Sequence, residues 1–161
     1  MAYVFLQHPS SLEHDTAAYG DGVSIVHPER PGRITAIERE LSARGWLGFE
    51  RERAPAVDRS LLRAVHPEPY VSSIELACRS GGTFLNEETV VSERSFQAAL
   101  YAVGGAVRMV DLLLDGDASA AFSSHRPRVI TPSRHRRWAS GCSTTSPSRP
   151  ATRSTSEHST G

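Results

Sequence analysis

The sequence predicts an α/β fold with a parallel sheet, and three observations lead to this prediction. Residues 3–6 form a short apolar run, Tyr-Val-Phe-Leu, which is typical of a buried strand. Apolar residues recur at helical spacing in several later segments. Residues 119–124 form a second strand after those helices, and the order β-α-α-α-β favours parallel strands. Because the pattern reveals two strands, the predicted sheet is incomplete.

The first helix is predicted to follow a loop, and a shorter helix comes after it. Residues 27–33 contain two prolines and a glycine, which exclude a helix in that segment. Gly45 is the expected end of the first helix, and residues 57–62 begin the next one. The apolar residues at helical spacing in the first helix are Ile34, Ile37, Leu41 and Trp46.

Two further helices are predicted in the second half of the chain, with a loop between them. The prolines at positions 67 and 69 open a helix over residues 71–78. Residues 84–91 are rich in Asn and Glu and are expected to form a loop. Ser92 then caps the longest helix, which ends before Gly116. The apolar face of this helix consists of Phe96, Leu100, Val103, Val107 and Val110.

Gly104 and Gly105 lie inside the longest helix. A glycine in such a position costs about 1 kcal/mol of stability relative to alanine. The pair therefore predicts that this helix packs closely against a neighbouring segment.

Length and composition exclude several classes of protein. The chain has 161 residues, 39% hydrophobic and 22% charged, as expected for one globular domain. No uninterrupted apolar run reaches the roughly 18 residues of a membrane span, so we expect no transmembrane segment. The amino terminus lacks the pattern of a signal peptide, which predicts a cytoplasmic location. Two cysteines, Cys78 and Cys142, cannot form a disulfide framework or a four-ligand zinc module.

Charge divides the chain into two unlike parts. Residues 1–125 contain 11 arginines and 17 acidic residues, a net charge of −6, and the chain contains no lysine. Residues 126–161 contain 7 arginines and one acidic residue, Glu157, a net charge of +6. The second part is rich in Ser, Thr and Pro and cannot bury enough apolar surface to offset the entropy of ordering. Composition alone leaves open a basic tail that contacts nucleic acid.

Spacing alone reveals no catalytic or metal-binding constellation. No histidine stands at the His-x-x-x-His or Asp-x-His spacing that is typical of metal sites. Loop polarity explains His14-Asp15, and Cys78 on an apolar helical face is expected in the core. Glu87 and Glu88 face either a ligand or, more simply, solvent.

Three segments together resemble landmarks of the histone deacetylase family, which includes acetoin-utilisation proteins and acetylpolyamine amidohydrolases. They are HPERPGRI at 27–34, VHPEPYV at 65–71, and a third segment at 86–106 that begins NEET and ends GGA. The resemblance covers about residues 3–127. It implies the amino-terminal part of a three-layer deacetylase (arginase-like) fold with an incomplete parallel sheet.

The resemblance stops at Pro127. In the family the next residues complete Arg-Pro-Pro-Gly-His-His-Ala, whose paired histidines are the catalytic dyad, whereas here residues 128–132 are Arg-Val-Ile-Thr-Pro. That stretch can be encoded by CGG-GTC-ATC-ACG-CC. One added C changes the triplets to CCG-GGT-CAT-CAC-GCC, which encode Pro-Gly-His-His-Ala. The same shift from Trp138 onward allows Met-Gly-Phe, again as in the family. We therefore interpret 1–127 as a truncated deacetylase-like domain and 128–161 as an irregular tail that is out of frame.

The resemblance also implies a chemistry. In the intact family a Zn²⁺ ion held by Asp and His activates water, the paired histidines handle protons, and a tyrosine stabilises the oxyanion. The substrate is acetyl-lysine or another acetylated amine. All these groups would lie after residue 127, so no catalytic residue, metal ligand or bound zinc is expected in this chain, and His125 receives no catalytic role. The residues that the resemblance places on the substrate rim are His27, Pro28, Glu29 and Glu88.

Two functional hypotheses follow. The first is a fragment of a zinc-dependent deacetylase or amidohydrolase that is inactive and, with two strands, poorly folded. The alternative is a non-enzymatic binding module with a basic tail that binds nucleic acid or a partner. The first hypothesis predicts no nucleic acid and no membrane partner.

Overall fold

The computed structural model describes residues 2–16, 29–86 and 89–127. The chain divides into two units, Met1–Thr131 and Pro132–Gly161, and every described residue belongs to the first. The predicted tail at 128–161 lies outside the described residues, so its assignment stays a prediction.

The described part alternates strands and helices, with two short 3-10 helices between them. The strands are β1 (Ala2–Gln7), β2 (Phe49–Arg53), β3 (Gly82–Asn86), β4 (Thr89–Ser92) and β5 (Ala118–Ser124). The α-helices are α1 (Ser10–Glu13), α2 (Gly32–Ala43), α3 (Glu68–Arg79) and α4 (Ser95–Leu114). The 3-10 helices are Gly45–Gly48 and Arg59–Ala64.

Three strands form a parallel sheet in the order β2-β1-β5. Val4 of the central strand lies opposite Glu50 on one side and Ala121 on the other. Phe5 and Leu6 have no exposed surface, as expected for an apolar strand with neighbours on both sides. The predicted α/β class, the strand at 3–6 and the strand at 119–124 are confirmed.

The expectation of two strands is wrong, because β2 gives no apolar signal. Its sequence is Phe-Glu-Arg-Glu-Arg, and four charged residues of five hide a strand from hydrophobic patterning. β2 forms the edge of the sheet and pairs with β1, so its side chains remain largely accessible to water. Arg108 of α4 pairs with Glu52, the Nε and Oε1 atoms lying 2.7 Å apart.

The predicted loop at 84–91 is also wrong in the described residues. β3 and β4 pair there as an antiparallel hairpin. Val90 and Val91 are buried, and Val91 joins a cluster with Cys78 and Phe96. The two valines supply the strand propensity that the neighbouring Asn and Glu residues mask.

Helix boundaries differ from prediction by a few residues. α2 begins at Gly32, inside the segment from which helix was excluded, because Pro31 occupies its amino-terminal cap and needs no hydrogen-bonded N–H there. Trp46 lies beyond α2 with φ of 61°, and its ring centroid is 5.3 Å from that of Phe5. α4 begins at Ser95 rather than at Ser92.

Two apolar clusters form the core. The first joins the sheet to α4 and the second joins α3, β4 and the start of α4. Phe96 of α4 therefore lies against α3, and Cys78 is buried as predicted. The first cluster contains Val4, Leu6, Ala54, Leu112 and Ala118, and the second contains Val71, Ile74, Cys78, Val91 and Phe96.

α4 is long and apolar enough to cross a membrane, judged by length and composition alone. The expectation of no such segment rested on uninterrupted apolar runs, which Arg108 and Asp111 break. Core helices of other proteins pass the same test, and α4 contacts β1, β5, α1 and α3. One such helix is weak evidence for a membrane span.

The Gly104-Gly105 pair lies at a close contact, as predicted. A Cβ atom at Gly104 would overlap the backbone carbonyl of Pro55, and one at Gly105 would overlap the ring of His125. In the same region, the segment after β2 is bonded to α4, since the Val57 N–H donates to the Leu100 carbonyl at 3.2 Å. α4 is therefore fitted against the segments that follow β2 and β5.

Replacing Gly104 by alanine should destabilise the fold by about 1–3 kcal/mol, because backbone must move to admit the Cβ. We would measure the thermal denaturation midpoint in sucrose, an excluded osmolyte that favours the folded state. Gly32→Ala is the matched control, since its Cβ would meet nothing nearer than the Arg30 side chain at 3.9 Å. A Gly104→Ala protein as stable as the control would contradict this account.

Candidate functional site

The three parallel strands end together, with Gln7 opposite Arg53 on one side and Ser124 on the other. Ligands of open α/β sheets bind beyond the carboxyl ends of the strands. This end of the sheet is therefore the candidate site. The titratable residues in and around the segments at this end include His8, His14, Glu29, His125 and Arg126.

Arg126 is the central charged group of this region. Its side chain is 3% exposed, and its guanidinium donates to three backbone carbonyls. Nη1 bonds to the carbonyl oxygens of Ser11 at 3.2 Å and His14 at 3.1 Å, and Nη2 bonds to that of Glu29 at 2.6 Å. Burial lowers the pKa of Arg126, and the Glu29 carboxylate opposes that shift. The guanidinium thus joins the loop after β1 to the segment before α2.

Glu29 is the one predicted rim residue within the described residues. Its carboxylate accepts from Arg33 Nη1 at 2.6 Å and lies 3.7 Å from Arg126 Nε. Its carbonyl also accepts from the Thr16 hydroxyl at 2.5 Å. Glu29 is thus held by cations on two sides. The other three predicted residues, His27, Pro28 and Glu88, lie outside the described residues.

His8 and His125 follow the ends of β1 and β5. The Ser10 N–H donates to His8 Nδ1 at 3.2 Å, which leaves the proton of the neutral ring on Nε2. The His8 ring stacks on Tyr101 of α4, with centroids 3.4 Å apart. Burial lowers the pKa of His8, with Arg53 acting in the same direction and Glu13 opposing.

His125 packs against Gly105 of α4, and both of its buried ring nitrogens lack a hydrogen-bond partner among the described residues. Burial, with a smaller contribution from His8, lowers the pKa of His125 to about 4. The ring is therefore neutral near pH 7. The contact with Gly105 gives the ring a packing role, and no group in the described part orients it for proton transfer.

His14 and Ser95 form a contact that sequence spacing did not reveal. His14 Nδ1 lies 2.6 Å from Ser95 Oγ, and Ser95 Oγ also accepts from the Ser92 N–H at 2.7 Å. The Ser92 hydroxyl accepts from the Asp15 N–H at 3.1 Å. A serine beside a histidine is the arrangement of a nucleophilic pair. Here both are buried, at 2% and 3% exposed, so the contact ties the loop after α1 to the start of α4.

The second sequence landmark, at 65–71, lines an apolar pocket between the 3-10 helix Arg59–Ala64, α3 and α4. His66 is buried there with Nδ1 unpartnered in the described part, and burial raises the pKa of Tyr70. The pocket offers no nucleophile or acid–base pair. Its lining includes Leu62, His66, Tyr70, Ile74, Phe96 and Pro127.

The donor groups of the described residues do not fit the zinc ion that the resemblance implies. No three His, Cys, Asp or Glu side chains come together within residues 2–16, 29–86 and 89–127. Zinc sites in enzymes use three protein ligands and an open position. Burial raises the pKa of the Cys78 thiol, so that group is a core residue rather than a ligand.

Comparison with known proteins supplies the family. A family model described as "Histone deacetylase domain" matches residues 27–130, more than half of the chain. A "Probable deacetylase" of Archaeoglobus fulgidus is 31% identical over 125 residues, which cover 74% of this chain and 32% of that protein. A "Histone deacetylase-like amidohydrolase" of Pseudomonas aeruginosa is 34% identical over 103 residues, which cover 63% of this chain and 27% of that protein. The chain thus spans about a third or less of these relatives.

The crystal structure of the HDA15 HD domain shares the fold of this chain. The TM-score is 0.71 with 22% identity, over 78% of this chain and 35% of that one. The likeness supports the predicted deacetylase-type α/β architecture.

Replacing Arg126 by lysine should lower the stability by about 2–3 kcal/mol, because an ammonium cannot reach the three carbonyls that the planar guanidinium serves. The thermal midpoint in sucrose measures the change. Arg44→Lys is the matched control, since Arg44 makes an exposed pair with Glu40 of the same helix, and such pairs contribute little. Equal effects at the two positions would contradict the role of Arg126.

Stability should fall as the pH is lowered from 7 to 5. The folded-state pKa of His125 lies below its ordinary value of 6.5, so the unfolded chain binds more protons between pH 6.5 and about 4. The stability present above pH 6.5 is therefore lost as the pH falls through that window, by about 1–2 kcal/mol after screening by solvent. His125→Phe should reduce the fall of the thermal midpoint between pH 7 and 5. The part of the fall that remains is expected from His8, whose pKa is also lowered. A profile unchanged by His125→Phe would refute this assignment.

Proposed function

This chain belongs to the histone deacetylase family, and from that premise we propose that it is the amino-terminal part of a deacetylase or amidohydrolase whose coding frame changes after Pro127. The intact parent would be a zinc-dependent enzyme that removes acetyl groups from acetyl-lysine or another acetylated amine. Two relatives of the chain are named a deacetylase and an amidohydrolase, which supports this class of reaction.

The main support for this proposal is the position at which the match to the family model ends. The match ends at residue 130, three residues after the predicted break. Up to that break the chain is built into the fold, because Arg126 is buried and Pro127 lines the apolar pocket. Beyond it the charge changes sign. Codons that fit residues 128–132 would encode Pro-Gly-His-His-Ala if the frame were shifted by one nucleotide.

Under this proposal the chain keeps part of the deacetylase fold and lacks the catalytic dyad and the metal ligands. The described residues bring no three metal-ligating side chains together, so we derive no catalytic step from them. Glu29 in the first landmark serves as an anchor for Arg126 and Arg33, which positions the rim loop rather than reacting with a substrate. His27, Pro28 and Glu88 remain proposed rim residues.

Sequencing the coding DNA around codons 126–129 tests the frame change. We expect a downstream frame, offset by one nucleotide, that encodes Pro-Gly-His-His-Ala and continues as a deacetylase. A gene without any deacetylase-like frame beyond codon 128 would refute the proposal.

The purified chain should not hydrolyse an acetyl-lysine peptide in zinc-supplemented buffer, and without osmolyte it should show a broad, weak melting transition. The activity is lost because the proposed ligands and dyad are not encoded, and the stability is low because a parallel sheet needs cover on both faces. The control is the same gene with its frame restored, which should hydrolyse the peptide. Robust turnover by the chain as it stands would contradict the prediction.

A non-enzymatic binding module is the second candidate, favoured by seven arginines against one acidic residue in 126–161. Such a tail would bind phosphates in a salt-dependent and sequence-independent manner. A salt titration against duplex DNA, comparing the full chain with a version that ends at Ser124, separates the candidates. The frame-change proposal predicts no specific gain from the tail at physiological salt, whereas tight binding that needs the tail would favour the module.

A further inference from the structure

The apolar pocket between the 3-10 helix Arg59–Ala64, α3 and α4 lies at the point where the described chain ends. Pro127 is both a lining residue of this pocket and the last described residue. Most of the other lining residues carry hydrocarbon side chains, among them Ile74 and Phe96. The chain therefore leaves the described part from the wall of an apolar pocket.

One lining residue has a buried polar atom that lacks a partner. His66 is 9% exposed, and its Nδ1 atom is buried without a hydrogen-bond partner in the described part of the chain. A buried nitrogen without a partner lowers stability, so native structures place a complementary group beside it. The wall therefore favours an occupant that combines an apolar side chain with a hydrogen-bond donor or acceptor.

The volume of the pocket sets the size of this occupant. The cavity volume is about 30 Å³, and the pocket is partly open to solvent. Roughly 10–15 Å³ holds one water-sized group, and a cavity that binds benzene measures about 150 Å³. The pocket thus holds about two or three water-sized groups, which corresponds to one branched aliphatic side chain rather than to an aromatic ring.

A side chain of this size stands directly after Pro127. Residues 128–131 are Arg-Val-Ile-Thr, and the β-branched residues among them favour an extended backbone. Side chains two positions apart in an extended chain face the same side, and Val129 has this relation to Pro127. The compact unit that contains every described residue also runs on to Thr131. Sequence and reach therefore favour Val129 as the occupant.

We propose that the pocket is the docking site of residues 128–131 of the same chain, with the side chain of Val129 inside it and a backbone N–H of this segment donating to His66 Nδ1. Nδ1 accepts such a bond when the proton of the neutral ring is on Nε2. Removal of apolar surface from water drives the docking. The inference goes beyond the proposed function, because it concerns these residues as they stand in this chain, whatever the origin of their frame.

The thermal midpoint of the full chain in sucrose tests the docking. We expect Val129→Asp to lower the midpoint by about 3 °C or more, because a carboxylate is unfavourable in an apolar pocket. Ile130→Asp is the matched control, since the neighbouring side chain of an extended segment faces the other way. It should lower the midpoint by less than about 1 °C.

A double-mutant cycle locates the contact and uses variants that disturb the fold less. Val103 of α4 lines the pocket, whereas Val107, one turn further along the same helix, lies outside the lining and is 38% exposed. The losses caused by Val129→Ala and Val103→Ala should not be additive, because the two side chains share one contact. The losses caused by Val129→Ala and Val107→Ala should be additive.

Xenon, which binds dry apolar cavities, shows whether the pocket is filled. It should raise the midpoint of the Val129→Ala protein and leave that of the unchanged chain where it is. An equal rise in both proteins would mean that the pocket is open to a small apolar ligand, and would overturn the inference. Equal losses for Val129→Asp and Ile130→Asp, or additive losses with Val103→Ala, would also overturn it. A midpoint that rises with protein concentration, and no longer does so in Val129→Asp, would identify the segment of a second copy as the occupant instead.

Discussion

The guanidinium of Arg126 is the contact on which the described fold depends, because it joins segments that the sheet does not connect. A buried charge is tolerated when most of its donors find acceptors, and here Nη1 and Nη2 donate to three carbonyls from two separate segments. Nε has no hydrogen-bond partner among the described residues. Glu29 adds an opposite charge at 3.7 Å. The loop after β1, the segment before α2 and the end of β5 are thereby fixed relative to one another.

The close seating of α4 is the second constraint, and it acts at the same end of the sheet. Because Gly104 has no side chain, the backbone after β2 packs directly against α4. Because Gly105 has none, the ring of His125, which follows β5, packs there too. His8, which follows β1, stacks on Tyr101 of the same helix. All three strand ends therefore touch one helix, so a change in any of these contacts alters the geometry of the others. Ligands of open α/β sheets bind at this end, and the described residues there make the contacts that hold the strand ends to α4.

The described part of this chain carries the architecture of the family. The described residues build the sheet, its helical cover and the anchored rim loop, and these features identify the family. In the proposed frame change, the side chains that would activate water lie beyond Pro127.

The sequence by itself determined the fold class, the family, strands β1 and β5, the long helix and the close contact at the glycine pair. Each of these depends on local periodicity or on a motif within a few residues. It did not reveal β2, because charged side chains are compatible with a strand whose outer edge faces water, or the hairpin at β3 and β4. Tertiary structure alone brought His14 to Ser95 across 81 positions and Arg126 to the His14 carbonyl across 112. Such contacts arise when the chain folds back on itself, and a local pattern carries no information about which distant groups will satisfy a buried charge or hydroxyl.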